Sequence, residues 1–395
     1  KQKKNQKDDL KINFGHLKRF KDLDYISIWF FKGALFIMNT KHKLAFVSTN
    51  SICQGLQVSL LWPYIFEKNL IINFAYPSFK WQNSAKGNAG VTVIIIGLSS
   101  VNNKKATLYN NNIVSEVDSI NAYLSSGKSD LFVSPKTKSI SSLPKINHGN
   151  MPADGGKLLF STDEKEAFVS KEPKAKKWFN KIATAKEHLN GRVRWCLWLE
   201  DASIDEINSL PQVSQVVQQV KTIRQNSSRP QLAETPHLFA QITQPKNKNC
   251  VIIPRVSSEN RDYLPIDFLD GKEYKVTDSF FTIATNEYYI FGIVASRMHM
   301  VWMKSIGGKL ETRIQYSKNV VYNTFPFPDI SKVKKANIEE NVFAVLEERE
   351  KHPEKTMTEL YDPDKMPAGL RQAHKDLDEA VERCYRLQPF DNDTQ

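Results

Sequence analysis

The sequence predicts an α/β protein: the closing half of a doubly wound sheet, then an α+β body, then a helical segment at the C-terminus. Three observations predict this. Residues 43–98 run strand, helix, strand, loop, strand, the order of an alternating α/β domain. After Leu98 the composition shifts towards Ser, Asn, Lys, Gly and Pro, which marks a boundary. From residue 331 the chain is highly charged and has helical periodicity.

Taken in order, residues 22–38 are expected to form one helix capped by Asp22 or Asp24. Leu23, Ile26, Phe30, Leu35 and Ile37 give it a broad apolar face, and the segment is apolar enough to be largely buried. Residues 43–51 read as a buried strand whose C-terminal end opens into the polar run Ser48-Thr49-Asn50-Ser51. In open α/β sheets ligands sit at that end. Residues 54–66 are expected to be helical, with Pro63 disturbing the last turn. Residues 70–76 and 91–98 read as strands. The loop 77–90 between them is long for a hairpin, and such loops are functional or disordered. Residues 99–157 read as a linker or a loosely packed domain entrance.

A second body is expected over 158–330. Residues 163–168, 173–188, 204–208 and 213–223 look helical. From 239 to 256, and again from 280 to 301, β-branched and aromatic residues predict a sheet. Residues 338–349 and 370–385 are the clearest helices of the last segment.

Composition excludes several classes. Of 395 residues 41% are hydrophobic and 25% charged, so the chain is not disordered throughout, and its length suggests two or three domains. Cys53, Cys196, Cys250 and Cys384 lie far apart, without zinc-site spacing or the density of a secreted framework, which points to a reducing cytoplasm. The apolar run 91–96 is too short to cross a bilayer and Lys32 interrupts the run 25–38, so no membrane partner is expected. The opening Lys1-Gln2-Lys3-Lys4, with neither Met nor a signal peptide, reads as the cut edge of a longer protein. Lys and Arg number 55 against 43 Asp and Glu, a net charge of +12, which favours an anionic partner, nucleic acid being the commonest. A basic protein without such a role fits the same charge.

No P-loop, His-Glu-x-x-His or Gly-x-Ser-x-Gly motif is present, and the eight histidines have no ligand spacing; no metal site is expected. Three clusters remain. Phe79-Lys80-Trp81 suits an aromatic platform for a flipped base with a cation for phosphate; aromatic packing under a long loop suits it too. Arg255, Ser257, Ser258 and Arg261 follow an apolar strand and can hold phosphates, or form a solvated turn with an ion pair. In the stretch 307–315, an extended 310–314 would turn Glu311 and Arg313 to one face. Arg can bond a guanine edge and Glu can accept from a cytosine amine, so the pair could read G·C; an ion pair on a solvated strand is the alternative.

With these segments in hand, the chain resembles the MmeI-like type IIL restriction–modification enzymes. Those are single polypeptides joining a nuclease, an adenine methyltransferase and a target recognition domain. The matching segments, in family order, are Leu23-Asp24-Tyr25-Ile26, residues 45–55, Phe79-Lys80-Trp81 with residues 85–89, then residues 149–156, 194–198, 253–259 and 321–328. The resemblance implies a Rossmann-like methyltransferase sheet ending near residue 100, a target recognition domain over 101–328 and a helical segment over 329–395. It implies double-stranded DNA as partner and S-adenosylmethionine as methyl donor, with Mg only if the complete protein carries a nuclease. The Asn-Pro-Pro-aromatic loop and the Gly-rich cofactor turn are absent from the sequence. The resemblance implies that they precede Lys1 in an N-terminal remainder of the same polypeptide, so the catalytic residues cannot be named and the chain alone is expected to be inactive. Phe79 or Trp81 takes the role of stacking on the flipped adenine. Glu311, Arg313 and Gln315 fall where the family reads bases, and Lys80, Lys86, Arg255, Ser257, Ser258, Arg261 and Lys309 are the expected backbone contacts. A stand-alone DNA-binding specificity module without chemistry is the second reading.

Overall fold

In the computed structural model, which describes residues 2–81, 92–102, 104–110, 113–310 and 312–393, the chain divides into two units. One comprises residues 1–140 with 302–326, the other 141–301 with 327–395. The first begins with α1 (Lys4–Phe14), α2 (Ser27–Ile37), β1 (Lys43–Thr49), a 3-10 turn at Asn50–Cys53 and α3 (Gly55–Phe66). β2 (Leu70–Lys80), β3 (Thr92–Ser100), β4 (Ala106–Asn110) and β5 (Ile113–Val117) follow. These strands form one sheet in the order β1-β3-β2-β4-β5. β3 runs antiparallel to both of its neighbours, and β4 runs parallel to β2.

Period-two alternation sorts the two faces of this sheet. Leu44 and Phe46 of β1, Ile72 and Ala75 of β2, and Leu108 of β4 join the core with Phe30 of α2 and with Trp62 and Ile65 of α3. Lys43, Ala45 and Val47 turn the other way and are exposed. β1 is therefore a half-exposed edge strand and not the buried one expected. The stretch expected as a linker also differs, because β4 and β5 extend the sheet. The helix expected over 22–38, α2, starts at Ser27, and neither aspartate caps it. Asp22 pairs with Arg19, and Asp24 accepts from Ser51 Oγ at 2.7 Å. Only one stripe of α2 is buried: Trp29 is 54% exposed and Phe36 78%.

The second unit contains β6 (Ile146–His148), β7 (Leu159–Phe160), α4 (Thr162–Lys171), β8 (Phe179–Ala183), α5 (Ala185–Leu189), β9 (Trp195–Leu197), α6 (Ile204–Asn208) and α7 (Pro211–Gln225). It continues with β10 (Cys250–Pro254), β11 (Val256–Ser257), β12 (Asp267–Leu269), β13 (Tyr274–Val276), β14 (Phe280–Ala284), α8 (Tyr288–Ala295) and the start of α9 (Arg297–Ile306), whose residues from Trp302 on are counted with the first unit. Two four-stranded sheets form here, β12-β10-β14-β6 and β13-β8-β9-β7. Residues 173–188, expected to be helical, instead contain a 3-10 turn, β8 and α5. Residues 280–301, expected to be sheet, are strand only to Ala284 and helical from Tyr288. Fully apolar runs do not distinguish a buried strand from a buried helix. A hairpin of β15 (Gly308–Leu310) and β16 (Arg313–Gln315) belongs to the first unit. α10 (Lys332–Glu350), α11 (Met357–Leu360) and α12 (Ala368–Glu382) close the second.

One cation organises the loops of the second unit. Arg224, on α7, is 1% exposed. Its five N–H groups donate to five carbonyls: Pro152 and Ala153 on one side, Leu232, Thr235 and Leu238 on the other, at 2.8–3.0 Å. A guanidinium has five donors in a fixed fork, whereas an ammonium has three. Arg224→Lys therefore leaves at least two buried carbonyls without a donor, at about 1–3 kcal/mol each. Urea unfolding followed by circular dichroism should show a loss of at least about 2 kcal/mol; a loss below about 0.5 kcal/mol would contradict this role.

Within the second unit, the C-terminal helices pack on the rest through a buried polar network. Asp378 of α12 accepts from Tyr263 Oη and from the Arg297 backbone N–H, both at 2.7 Å. Burial pushes its carboxyl up to about 7. This folded-state value lies above the 3.8 of an ordinary aspartate, so the folded state binds the extra proton between these limits and stability falls as pH rises from about 4 through 7. The size is about 4 kcal/mol at most. Asp378→Asn keeps one acceptor for Arg297 and should flatten this dependence. Amide exchange in α12, measured at pH 5 and pH 8, should slow in the variant at pH 8; equal pH sensitivity in both proteins would contradict the assignment.

Candidate nucleic-acid interface

Phe79 and Lys80, two of the expected site residues, lie at one end of the first unit's sheet. Because β3 lies antiparallel between β1 and β2, the C-terminal ends of β1 and β2 fall side by side. Thr49 and Phe79 both pair with Val93. Asn50, nearly buried, donates from Nδ2 to Ser78 Oγ at 3.2 Å and ties the two strand ends together. Behind it Ser51 bonds Asp24, the Asp24 N–H donates to Gln57 Oε1 at 2.8 Å, and Gln57 Nε2 donates to the Asp22 carbonyl. Trp62 Nε1 donates to the Ile52 carbonyl at 2.9 Å. Two of the segments that carried the family resemblance, Leu23-Asp24-Tyr25-Ile26 and residues 45–55, are thus joined by a hydrogen bond, and Asn50 ties the second to Ser78, the residue before Phe79.

Phe79 and Lys80 lie on β2, which runs further than expected. Phe79 is half-buried, Lys80 is exposed, and Trp81, just beyond the strand, is 42% exposed. Lys86 and the remainder of the expected loop, 82–90, lie outside the described residues.

The hairpin packs on the same unit. A Cβ built on Gly55, the first residue of α3, would lie 3.4 Å from the Gly308 backbone nitrogen. Gly55 also has φ +52, a left-handed conformation that side chains disfavour. Leu310 pairs with Arg313 and Gly308 with Gln315. Leu310 and Arg313 thus lie on opposite arms of a hairpin and not on the single extended segment expected. Glu311 lies outside the described residues. Ile314 is buried, whereas Arg313 and Gln315 point out on the opposite face with Leu310 across from Arg313. Lys309 is exposed too. Sequence reasoning missed Leu310, Ser78 and Gly55. No Asn-Gly or Asp-Gly pair marks the reversal of the hairpin, so the usual signal was not there.

In the second unit the expected phosphate cluster is partly turned inward. Ser257 is 2% exposed and accepts from Arg261 Nη1 at 3.3 Å; Arg261 is itself buried, and desolvation lowers its pKa. These two do not present a surface to phosphate, which corrects the expectation for them. Arg255 donates to the Asp278 carbonyl at 2.9 Å and lies 4.0 Å from its carboxylate, while remaining part-exposed. Ser258 is half-buried, and its Oγ accepts from the Asn260 N–H. Among the described residues no three His, Cys, Asp or Glu side chains converge as metal ligands, and no helix is long and apolar enough to cross a membrane.

Comparison with known proteins adds three family matches in chain order. The MmeI DNA-methyltransferase domain matches residues 1–110, the MmeI target recognition domain residues 127–329 and the MmeI C-terminal domain residues 330–395. DNA methyltransferase A of Bacillus subtilis (strain 168) is 42% identical over 397 residues, covering 100% of this chain and 45% of the relative. The structure of the Type IIL restriction–modification enzyme MmeI in complex with DNA superposes with a TM-score of 0.94 at 39% identity, covering 100% of this chain and 54% of that one. The chain thus spans about half the length of the relatives it matches.

The contact between Gly55 and the hairpin is directly testable. Gly55→Ala adds left-handed strain of about 1–2 kcal/mol and places a methyl group against Gly308. The hairpin should loosen, and trypsin should cut after Lys309 several-fold faster than in the parent; an unchanged rate would mean that the hairpin does not rest on α3.

Proposed function

The chain belongs to the MmeI-like type IIL family, and on that premise we propose that it supplies target recognition and base stacking to a site-specific DNA adenine methyltransferase. The observation that carries the reading is the shared location of two groups in the first unit. The polar strand ends with Phe79 and Trp81 are one, the exposed hairpin with Arg313 and Gln315 is the other, and the segment 50–55 links them. A methyltransferase that acts on a base in a duplex must extrude it, and an aromatic ring then holds the extruded base. Phe79 or Trp81 takes that role.

Arg313 supplies paired donors to a guanine edge, and the Gln315 amide suits an adenine edge. Glu311 would accept from a cytosine amine. Leu310, apolar and exposed beside them, suits a thymine methyl. Lys80 and Lys309, the part-exposed Arg255 and Ser258, and Lys86 contact phosphates and set the register without reading sequence. We assign residues 1 to about 117 to the methyltransferase sheet, including the β4–β5 hairpin, the stretch up to 328 to target recognition and 329–395 to the helical segment. The setting is the bacterial cytoplasm.

S-adenosylmethionine is the methyl donor of such enzymes, but the described residues of this chain do not build its site. Among the described residues no strand opens into a glycine-rich turn. The polar groups at the end of β1 are bonded to protein, Asn50 to Ser78 and Ser51 to Asp24. The chain therefore acts by binding and orienting DNA, and incubation with labelled S-adenosylmethionine and DNA should give no incorporation above background. With a net charge of +12, duplex binding should weaken steeply with salt. A slope of log affinity against log salt near zero would contradict a DNA footprint.

The stacking role is tested with 2-aminopurine at the target position, in a complete enzyme of this family carrying this chain. Phe79→Ala or Trp81→Ala should remove about 1–3 kcal/mol of stacking and change the fluorescence of the extruded base. If neither variant changes it, both rings are packing residues.

A further inference from the structure

The sheet of the first unit has a second face, turned away from α2 and α3, and it carries a cleft of about 320 Å³. A β-bulge builds its floor. Ile72 pairs with Leu98 and Phe74 with Gly97, so Asn73 and Phe74 are both placed on this face. Gly97 makes room for them: a Cβ there would lie 2.1 Å from the Phe74 ring and 2.9 Å from Asn73 Oδ1. The wall beside the floor is aromatic. Tyr76 and Tyr109 stack at 4.1 Å with an interplanar angle of 4°, and Phe74 meets both edge-on. The rim is cationic, with Lys43, Lys104 and Lys105 exposed. Among the described residues no carboxylate lines the cleft; Glu116 stands opposite Thr107, one strand beyond. Asn73 Oδ1 is buried and meets no hydrogen-bond donor among the described residues.

Each feature selects a part of one ligand. Three lysines without a lining carboxylate select an anion. Ring surfaces beside them select a flat π-system. The unbonded amide oxygen selects an N–H donor, which phosphate and the sugar–phosphate backbone of a duplex do not offer. We infer that this cleft binds an unpaired nucleotide of single-stranded DNA, with its phosphate at Lys43, Lys104 and Lys105 and an N–H on its base edge at Asn73. The inference rests on the proposed function only for the polymer being DNA. The cleft contains none of the residues assigned there to stacking or base reading.

The probe is a short fluorescein-labelled oligothymidylate, whose bases each carry one N–H, titrated by anisotropy against the whole chain at several salt concentrations. Replacing the three lysines, K43Q/K104Q/K105Q, should weaken binding at least tenfold at low salt. It should also reduce the salt slope by about 2, at about 0.7 per lost contact on a single strand. Tyr109→Ala should weaken binding at least fivefold. The charge-keeping variant K43R/K104R/K105R should bind as the parent does, and circular dichroism verifies that each variant is folded. Arg313→Ala serves as the contrast: it should leave oligothymidylate binding within about twofold while changing duplex preference. If the triple glutamine variant binds with the parent's affinity and slope, the cleft inference is overturned and the reading of the hairpin stands. If the triple variant loses binding but Arg313→Ala leaves duplex preference unchanged, the cleft stands and the hairpin reading falls.

Discussion

The first unit depends on the insertion of β3 antiparallel between β1 and β2. A central strand running the opposite way lets its two neighbours point in the same direction without pairing with each other. Their C-terminal ends then open at one edge, where Asn50 reaches Ser78. Had β1 and β2 been joined by a tight hairpin, their ends would lie at opposite edges and the polar segment 48–51 would be remote from Phe79. The same strand supplies Gly97, whose missing side chain allows Phe74 to lie across the sheet. Both faces of chemical interest therefore trace to β3.

Much of this was legible in the sequence. Alternation and apolar runs located β1, α3, β2 and β3 to within a few residues, because burial of one face is what those patterns record. The polar end of β1 was legible as a departure from that pattern. Pairing partners were not. The β-branched and aromatic residues of 106–110 and 113–117 suit strands, but no local signal says which sheet they join, and β-propensity is too context-dependent to decide it. The run 280–301 misled because a segment buried on all sides loses its periodicity. For the site, residue types pointed to the right segments, but the reversal between Leu310 and Arg313 carried no turn signature. The burial of Ser257 and Arg261 against each other depends on neighbours distant in sequence.

In the second unit several segments that carried the family resemblance are packing devices. Asn150 accepts from the Thr243 and Gln244 N–H groups, and Pro152 and Ala153 offer carbonyls to Arg224. Trp195 lies under the Lys165 ammonium at 3.6 Å. A buried arginine holding five carbonyls leaves few alternatives for the loops around it, since each lost bond strands a buried acceptor. Such segments identify a fold without stating what it recognises. Recognition rests on exposed side chains whose positions are set from behind, as Ile314 sets the direction of Arg313 and Gln315.

The most direct measurement is in vitro selection of duplex DNA from a randomised pool, performed in parallel with the parent chain and with R313A/Q315A. The account predicts that the parent enriches a defined motif. The variant should lose preference at one or two adjacent positions, each at about 1–3 kcal/mol, and keep the remainder of the motif. An identical motif from both proteins, a uniform loss at every position, or no motif from the parent would contradict the claim that the hairpin reads bases.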